Sequence, residues 1–156
     1  IGAGCRRRAL LWENRGKKTV FHYPQKVLFQ HCDPAGIVFY PRYYEMLNAC
    51  VETWFDSQLN YSFAHMHGAA GRGVPTVRHS ADFHAPSRHG DDLSFSLRIT
   101  RVGKSSLDLV IEVTCAGQLR VHFDTRLVFI RQDSGRSEPW PAELRQKLVH
   151  ILGENT

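Results

Sequence analysis

From about Pro41 to Leu59, apolar side chains return every three or four residues. Tyr43, Met46, Leu47, Cys50, Val51, Trp54 and Phe55 fall on one broad face, which predicts a helix buried against a sheet. Pro41 suits the first helical turn, where its missing N–H costs nothing. After a glycine-rich link from Gly68 to Gly73 the period changes to two. Alternation runs through Val77 to Ala85, Leu93 to Ile99, Leu107 to Cys115 and Val121 to Phe129. Turns carrying Gly90, Gly103 and Gly117 separate these runs, as antiparallel hairpins would require. Ahead of the helix, Lys26 to His31 is a short strand candidate, and Asp33-Pro34-Ala35-Gly36 is a turn. Pro141 to Leu152 closes the chain as a short amphipathic helix, with Leu144, Leu148 and Ile151 on one side. The order is strand, long apolar helix, then antiparallel strands: an α+β layout with the helix packed on one sheet face.

The chain has 156 residues, of which 42% are hydrophobic, enough for one domain with a real core. No apolar stretch approaches the length that crosses a bilayer, and no signal-peptide pattern is present. The formal charge of +5 is concentrated in residues 1–24, which hold Arg6, Arg7, Arg8, Arg15, Lys17 and Lys18 against Glu13. The remainder is balanced. Residues 1–24 therefore read as a basic, poorly ordered arm, and 25–156 as a single domain with neither nucleic acid nor membrane as partner. The four cysteines are far apart with no C-x-x-C pair, which fits a reducing cytoplasm better than a disulfide scaffold. The nine histidines lack the spacing of zinc sites, so no metal is expected.

The chemistry concentrates at the strand-to-helix turn. Asp33 sits there, and the backbone N–H groups at the helix start near Tyr40 lack internal partners. Such donors favour developing negative charge, so a carboxylate facing a carbonyl polarised by them is a hydrolytic arrangement. By composition alone the same Asp33 also reads as a turn cap, since Asp-Pro-x-Gly is a common turn sequence.

The run His31-Cys32-Asp33-Pro34-Ala35-Gly36-Ile37-Val38-Phe39-Tyr40-Pro41-Arg42-Tyr43-Tyr44 resembles the signature of the 4-hydroxybenzoyl-CoA thioesterase family. The likeness continues through Asp82-Phe83-His84-Ala85-Pro86, Gly90-Asp91 and Arg101-Val102-Gly103-Lys104-Ser105-Ser106, covering roughly residues 25–131. The resemblance implies a hotdog fold, in which an antiparallel sheet of about five strands wraps one long central helix. It implies Asp33 as catalytic nucleophile or general base, the Tyr40 N–H polarising the thioester carbonyl, and Gly36 allowing close approach of the substrate. Pro34 and Ile37 would flank the acyl group. Asn48 stands where enzymes specific for the 4-hydroxybenzoyl group carry an acid, so the reaction class is implied more firmly than the acyl group.

Coenzyme A enters this picture as part of the substrate, and no cofactor is expected. Its phosphates require cations, for which Lys104, Arg101 and Ser105 in one turn and Arg88 in another are candidates. The family resemblance also implies a homodimer or homotetramer with sites at subunit interfaces. Two other readings remain open at this point: a thioesterase acting on acyl-carrier-protein substrates, and a non-catalytic hotdog binding module in which Asp33 is only a turn residue. There is no G-x-S-x-G elbow, and Arg98 occupies the position of the leading glycine of a P-loop ending in Gly103-Lys104-Ser105.

Overall fold

A computed structural model describes residues 20–155. The core is the long helix α1 (Pro41–Leu59), whose buried stripe is Tyr43, Met46, Leu47, Cys50, Val51, Trp54, Phe55 and Leu59, the face that the periodicity predicts. Asn60, in the left-handed region at φ 51°, ends it, and the Lys147 ammonium donates to the Leu59 carbonyl at 2.9 Å. A five-stranded antiparallel sheet covers this stripe. Its strands are β1 (Phe21–Lys26), β3 (Thr76–Phe83), β4 (Asp92–Val102), β5 (Ser106–Cys115) and β6 (Gln118–Val128), in the order β1-β4-β5-β6-β3. The inner residues of β4, β5 and β6, among them Phe95, Leu97, Ile111, Val113 and Phe123, close on α1 in one apolar cluster. This is the hotdog arrangement. A short helix α2 (Phe63–His67), a two-stranded ladder of β2 (Arg72–Gly73) with β7 (Ile130–Arg131), and a C-terminal helix α3 (Ala142–Asn155) complete the fold.

Three local expectations change. The first strand begins at Phe21, earlier than Lys26, and Phe29–His31 is a single 3₁₀ turn. Pro24 disguises this strand, but β1 is at the edge of the sheet, where a missing N–H removes no ladder bond. The expected arm of residues 1–24 thus overlaps a strand at its end, while residues 1–19 lie outside the described residues.

Secondly, the connection carrying Gly90 is not a hairpin. β3 pairs with β6 and β4 pairs with β1 and β5, so residues 84–91 cross from one edge of the sheet to its other side. Thirdly, β3 hides less of its apolar alternation than expected. A register shift between Thr76 and Arg78 leaves Val77 outside the ladder and 56% exposed, and Phe83 is 49% exposed beside the unpaired edge.

On the outer sheet face, Asp108 of β5 and Arg126 of β6 are register partners joined by two bonds of 2.6 and 2.8 Å. That hydrogen-bonded pairing, together with the charges of Arg126, Arg101 and Arg78, holds the Asp108 carboxyl below the usual carboxylate range. The pair is therefore stabilising above the carboxyl's unfolded pKa of about 4 and is lost as pH falls through the depressed folded value. Asp108→Asn should melt lower than the parent at pH 7, and the gap should narrow in scans taken at progressively more acid pH, below the usual carboxylate range. A second prediction concerns the β5–β6 hairpin, whose two-residue turn places Ala116 at φ 49° and Gly117 at φ 81°. Positive φ at a residue with a Cβ costs about 1 kcal/mol, and asparagine tolerates it best. Ala116→Asn should raise stability to denaturant by up to that amount.

Candidate active site

The turn before α1 is closed as a small loop by main-chain pairing. Cys32 and Val38 form an antiparallel bridge, the Asp33 N–H donates to the Ile37 carbonyl at 2.9 Å, and the Phe39 N–H donates to the His31 carbonyl at 2.9 Å. Within the loop the Gly36 N–H donates to the Asp33 carbonyl. Gly36 has φ +78°, and a Cβ added there would meet open space. Glycine is therefore required by the backbone conformation, and the loop surface over it is left unobstructed.

Asp33 is half-buried. Its Oδ1 accepts the Ala35 N–H at 2.9 Å, so the carboxylate does cap the turn. Oδ2 has no hydrogen-bond partner among the described residues, which leaves one oxygen for other chemistry. Across the loop, Tyr40 is the N-cap of α1. The next N–H groups of the helix are already used: Arg42 donates to the Phe39 carbonyl and Tyr43 to the Tyr40 carbonyl. Pro41 has none to give. The Tyr40 N–H alone is unpartnered among the described residues, narrowing the expected cluster of donors to one. The chain thus presents an acceptor oxygen and a helix-start donor on either side of one five-residue loop.

What holds this loop is a buried polar node that the sequence reading did not pick out. Ser87, fully buried in the 84–91 crossover, accepts the Val38 N–H on its carbonyl at 2.8 Å and the Tyr43 hydroxyl on its Oγ at 2.8 Å. The Arg120 guanidinium, from β6, donates to the Pro86 carbonyl at 2.7 Å, to Ser87 Oγ at 3.1 Å and to Asp91 Oδ2 at 2.9 Å. Asp91 Oδ2 also accepts the Arg88 N–H. Burial pushes the Tyr43 phenol up, which keeps its donated proton in place. His31 is buried as well, and its Nδ1 accepts the Leu28 N–H at 2.9 Å. Burial, and then the charge of Arg42, push its pKa down, so the ring is neutral and serves the backbone.

The other predicted residues divide by position. Pro34 is exposed and Ile37 half-buried on the loop itself. Asn48 is exposed on α1, two helical turns beyond Tyr40, and makes no side-chain hydrogen bond among the described residues. Arg88 is exposed near the start of β4, at the same end of the sheet as the loop. Arg101, Lys104 and Ser105 are at the far end of β4, an 11-residue strand about 35 Å long. Within one chain these three do not converge with Asp33. Arg101 also lies 4.0 Å from the Asp108 carboxylate, while Lys104 is exposed. A groove of about 260 Å³ on the outer sheet face includes Arg78, Asp108, Asp124 and Arg126, but it lies across the sheet from α1, and Arg126 and Asp108 in it pair with each other.

Residues 27–148 match the thioesterase-like superfamily, and the chain belongs to it. It is 28% identical over 123 residues to a 1,4-dihydroxy-2-naphthoyl-CoA hydrolase of Synechocystis, covering 78% of this chain and 88% of the relative. Among solved structures, a 1,4-dihydroxy-2-naphthoyl-CoA thioesterase from Synechocystis superposes with a TM-score of 0.76 at 26% identity, over 84% of this chain and 96% of that one. A Staphylococcus aureus protein solved in complex with CoA shares the fold with a TM-score of 0.83 at 19% identity, over 92% of this chain and 90% of its own.

The Ser87 node makes a testable prediction. Ser87→Ala leaves the buried Tyr43 hydroxyl without its acceptor, while the Arg120 guanidinium keeps the Pro86 carbonyl and Asp91, and should cost about 1–3 kcal/mol in denaturant unfolding. Because Tyr43→Phe removes the group so stranded, the double variant should lose less than the sum of the two single losses.

Proposed function

We propose that this chain hydrolyses an aryl- or acyl-CoA thioester to the free acid and CoA, with Asp33 as its catalytic carboxylate. The reading is supported by the uncommitted Asp33 Oδ2 and the unpartnered Tyr40 N–H, which stand near the two ends of the same small loop. The Tyr40 N–H, at the positive end of α1, donates to the thioester oxygen and stabilises the negative charge that develops there. Asp33 then acts in one of two ways. As general base it removes a proton from water as the water oxygen attacks the carbonyl carbon. As nucleophile it attacks directly, giving a mixed anhydride that water cleaves. In both, the C–S bond breaks, CoA leaves as a thiolate and takes up a proton, and one water is consumed.

The relatives' substrate makes a hydroxylated aryl group the favoured acyl portion, with Asn48 available to a ring hydroxyl. Arg88 is on the Asp33 side of the sheet, whereas Lys104, Arg101 and Ser105 are at the far end of β4. A CoA site using both groups draws them from two copies of the chain. A homodimer, alone or doubled into a tetramer, formed along the unpaired edge of β3 accounts for this and covers the exposed Val77 and Phe83. The widely spaced cysteines fit a cytoplasmic setting.

Asp33→Asn keeps the Oδ1 cap of the turn but removes the base and nucleophile. It should lower kcat on 1,4-dihydroxy-2-naphthoyl-CoA by at least a thousandfold, with circular dichroism and CoA affinity unchanged. Undiminished turnover in this variant rules the assignment out.

A further inference from the structure

A line of side chains leads away from the catalytic loop along the open edge of the sheet. Tyr40, Tyr44 and Asn48 succeed one another at four-residue spacing on one face of α1. Two of them meet inner-face residues of β3 in turn: Tyr40 packs on Phe83 with ring centroids 6.3 Å apart, and Tyr44 packs on His79 at 5.1 Å. Along α1 these two contacts are successive steps of about one helical turn, roughly 6 Å, while along β3 the same partners, four residues apart, are about 13 Å apart. The first step is at the Tyr40 N–H and the second is the pair Tyr44 and His79.

At that second step the structure leaves a polar atom unsatisfied. His79 Nδ1 is fixed by the hydroxyl of Thr125, a buried β6 residue, at 2.9 Å. Its Nε2 is shielded from solvent and has no hydrogen-bond partner among the described residues. Phe123 packs on one side of the ring at 5.4 Å and Tyr44 on another. An orphaned buried nitrogen in an aromatic setting is destabilising, and most buried polar groups avoid it. A phenylalanine would fill the space without that cost. Tyr44, packed edge-on against this ring, is half-buried and its hydroxyl makes no hydrogen bond among the described residues, so only packing holds it.

We infer that His79 is a specificity-determining residue whose Nε2 meets a ring hydroxyl of a hydroxyaryl acyl group, one helical turn from the carbonyl held at Tyr40. The inference rests on the thioesterase reading and names the substrate class of the same site. A phenolic hydroxyl both donates and accepts, so it satisfies Nε2 in either tautomer that the Thr125 contact selects. Burial pushes the His79 pKa down, against the opposing charge of Asp124, and a neutral ring suits a neutral phenol. The aromatic rings of Tyr44, Phe83 and Phe123 supply the flat apolar surface that an aryl group requires.

The test compares kcat/KM on 1,4-dihydroxy-2-naphthoyl-CoA and on 2-naphthoyl-CoA, which lacks the hydroxyls. The parent should prefer the hydroxylated thioester at least tenfold. His79→Phe keeps the ring packing and should erase at least tenfold of that preference through loss of rate on the hydroxylated substrate. His79→Gln, whose side-chain amide nitrogen reaches the place of Nε2, should recover part of it. In the parent, the imidazole ¹⁵N resonance of His79 should shift on addition of 1,4-dihydroxy-2-naphthoate and not of 2-naphthoate, a readout that stands even if His79→Phe fails to fold. An equal preference in parent and His79→Phe, or an unmoved resonance, overturns the inference while leaving the thioesterase reading intact. If the parent hydrolyses neither these nor any other CoA thioester, it is the thioesterase reading that fails.

Discussion

The packing of one helix face against one sheet face governs the rest of this molecule. α1 buries eight side chains, two of which, Trp54 and Phe55, are among the largest fully enclosed groups of the described residues. Burying groups of that size fixes the helix in rotation and along its axis, because an interior packed at crystal density does not tolerate a shifted aromatic ring. The start of α1 is then fixed as well. The Tyr40 N–H, the single unpartnered donor at that start, has its position set by contacts several turns away. A helix that slid by one residue would present Pro41, which has no N–H to offer.

Much of this was legible in the chain because periodicity is read from residues that packing uses directly. The limits of α1 agree with the pattern to the residue, and β3, β4, β5 and β6 fall on the alternating runs. Edges were harder to read. β1 contains a proline and β3 a register shift, and both tolerate these irregularities because one side of each strand needs no ladder partner. The pairing order was not legible at all. Period two identifies a strand but not its neighbour, and the eight-residue connection with Pro86, much longer than the turns at Gly103 and Gly117, was the one hint that it was not a hairpin.

For the loop around Asp33, local reading left two roles open, turn cap and proposed catalyst, and the geometry leaves room for both in one carboxylate. One oxygen closes the turn and the other is uncommitted. A residue whose structural bond orients its reactive atom keeps little rotational freedom to lose when substrate binds. Ser87 and Arg120 escaped notice for a different reason. A serine between proline and arginine reads as surface, and an arginine on a strand reads as an outward polar position. Only the crossover brings them under the start of α1. Nothing in the spacing of the nine histidines singles out His79, whose orphaned nitrogen is visible only in the folded chain.

The Arg120 contacts also set the order in which the site is assembled. The loop around Asp33 is made of residues synthesised early, yet the guanidinium that secures the 84–91 crossover beneath it belongs to β6. Until the ribosome has released that strand, a nascent chain has both Asp33 and Tyr40 but little to hold their loop in register. The loop is therefore secured late in synthesis, once every strand of the five-stranded sheet is available, and a truncation before β6 leaves the signature motif intact but removes its scaffold.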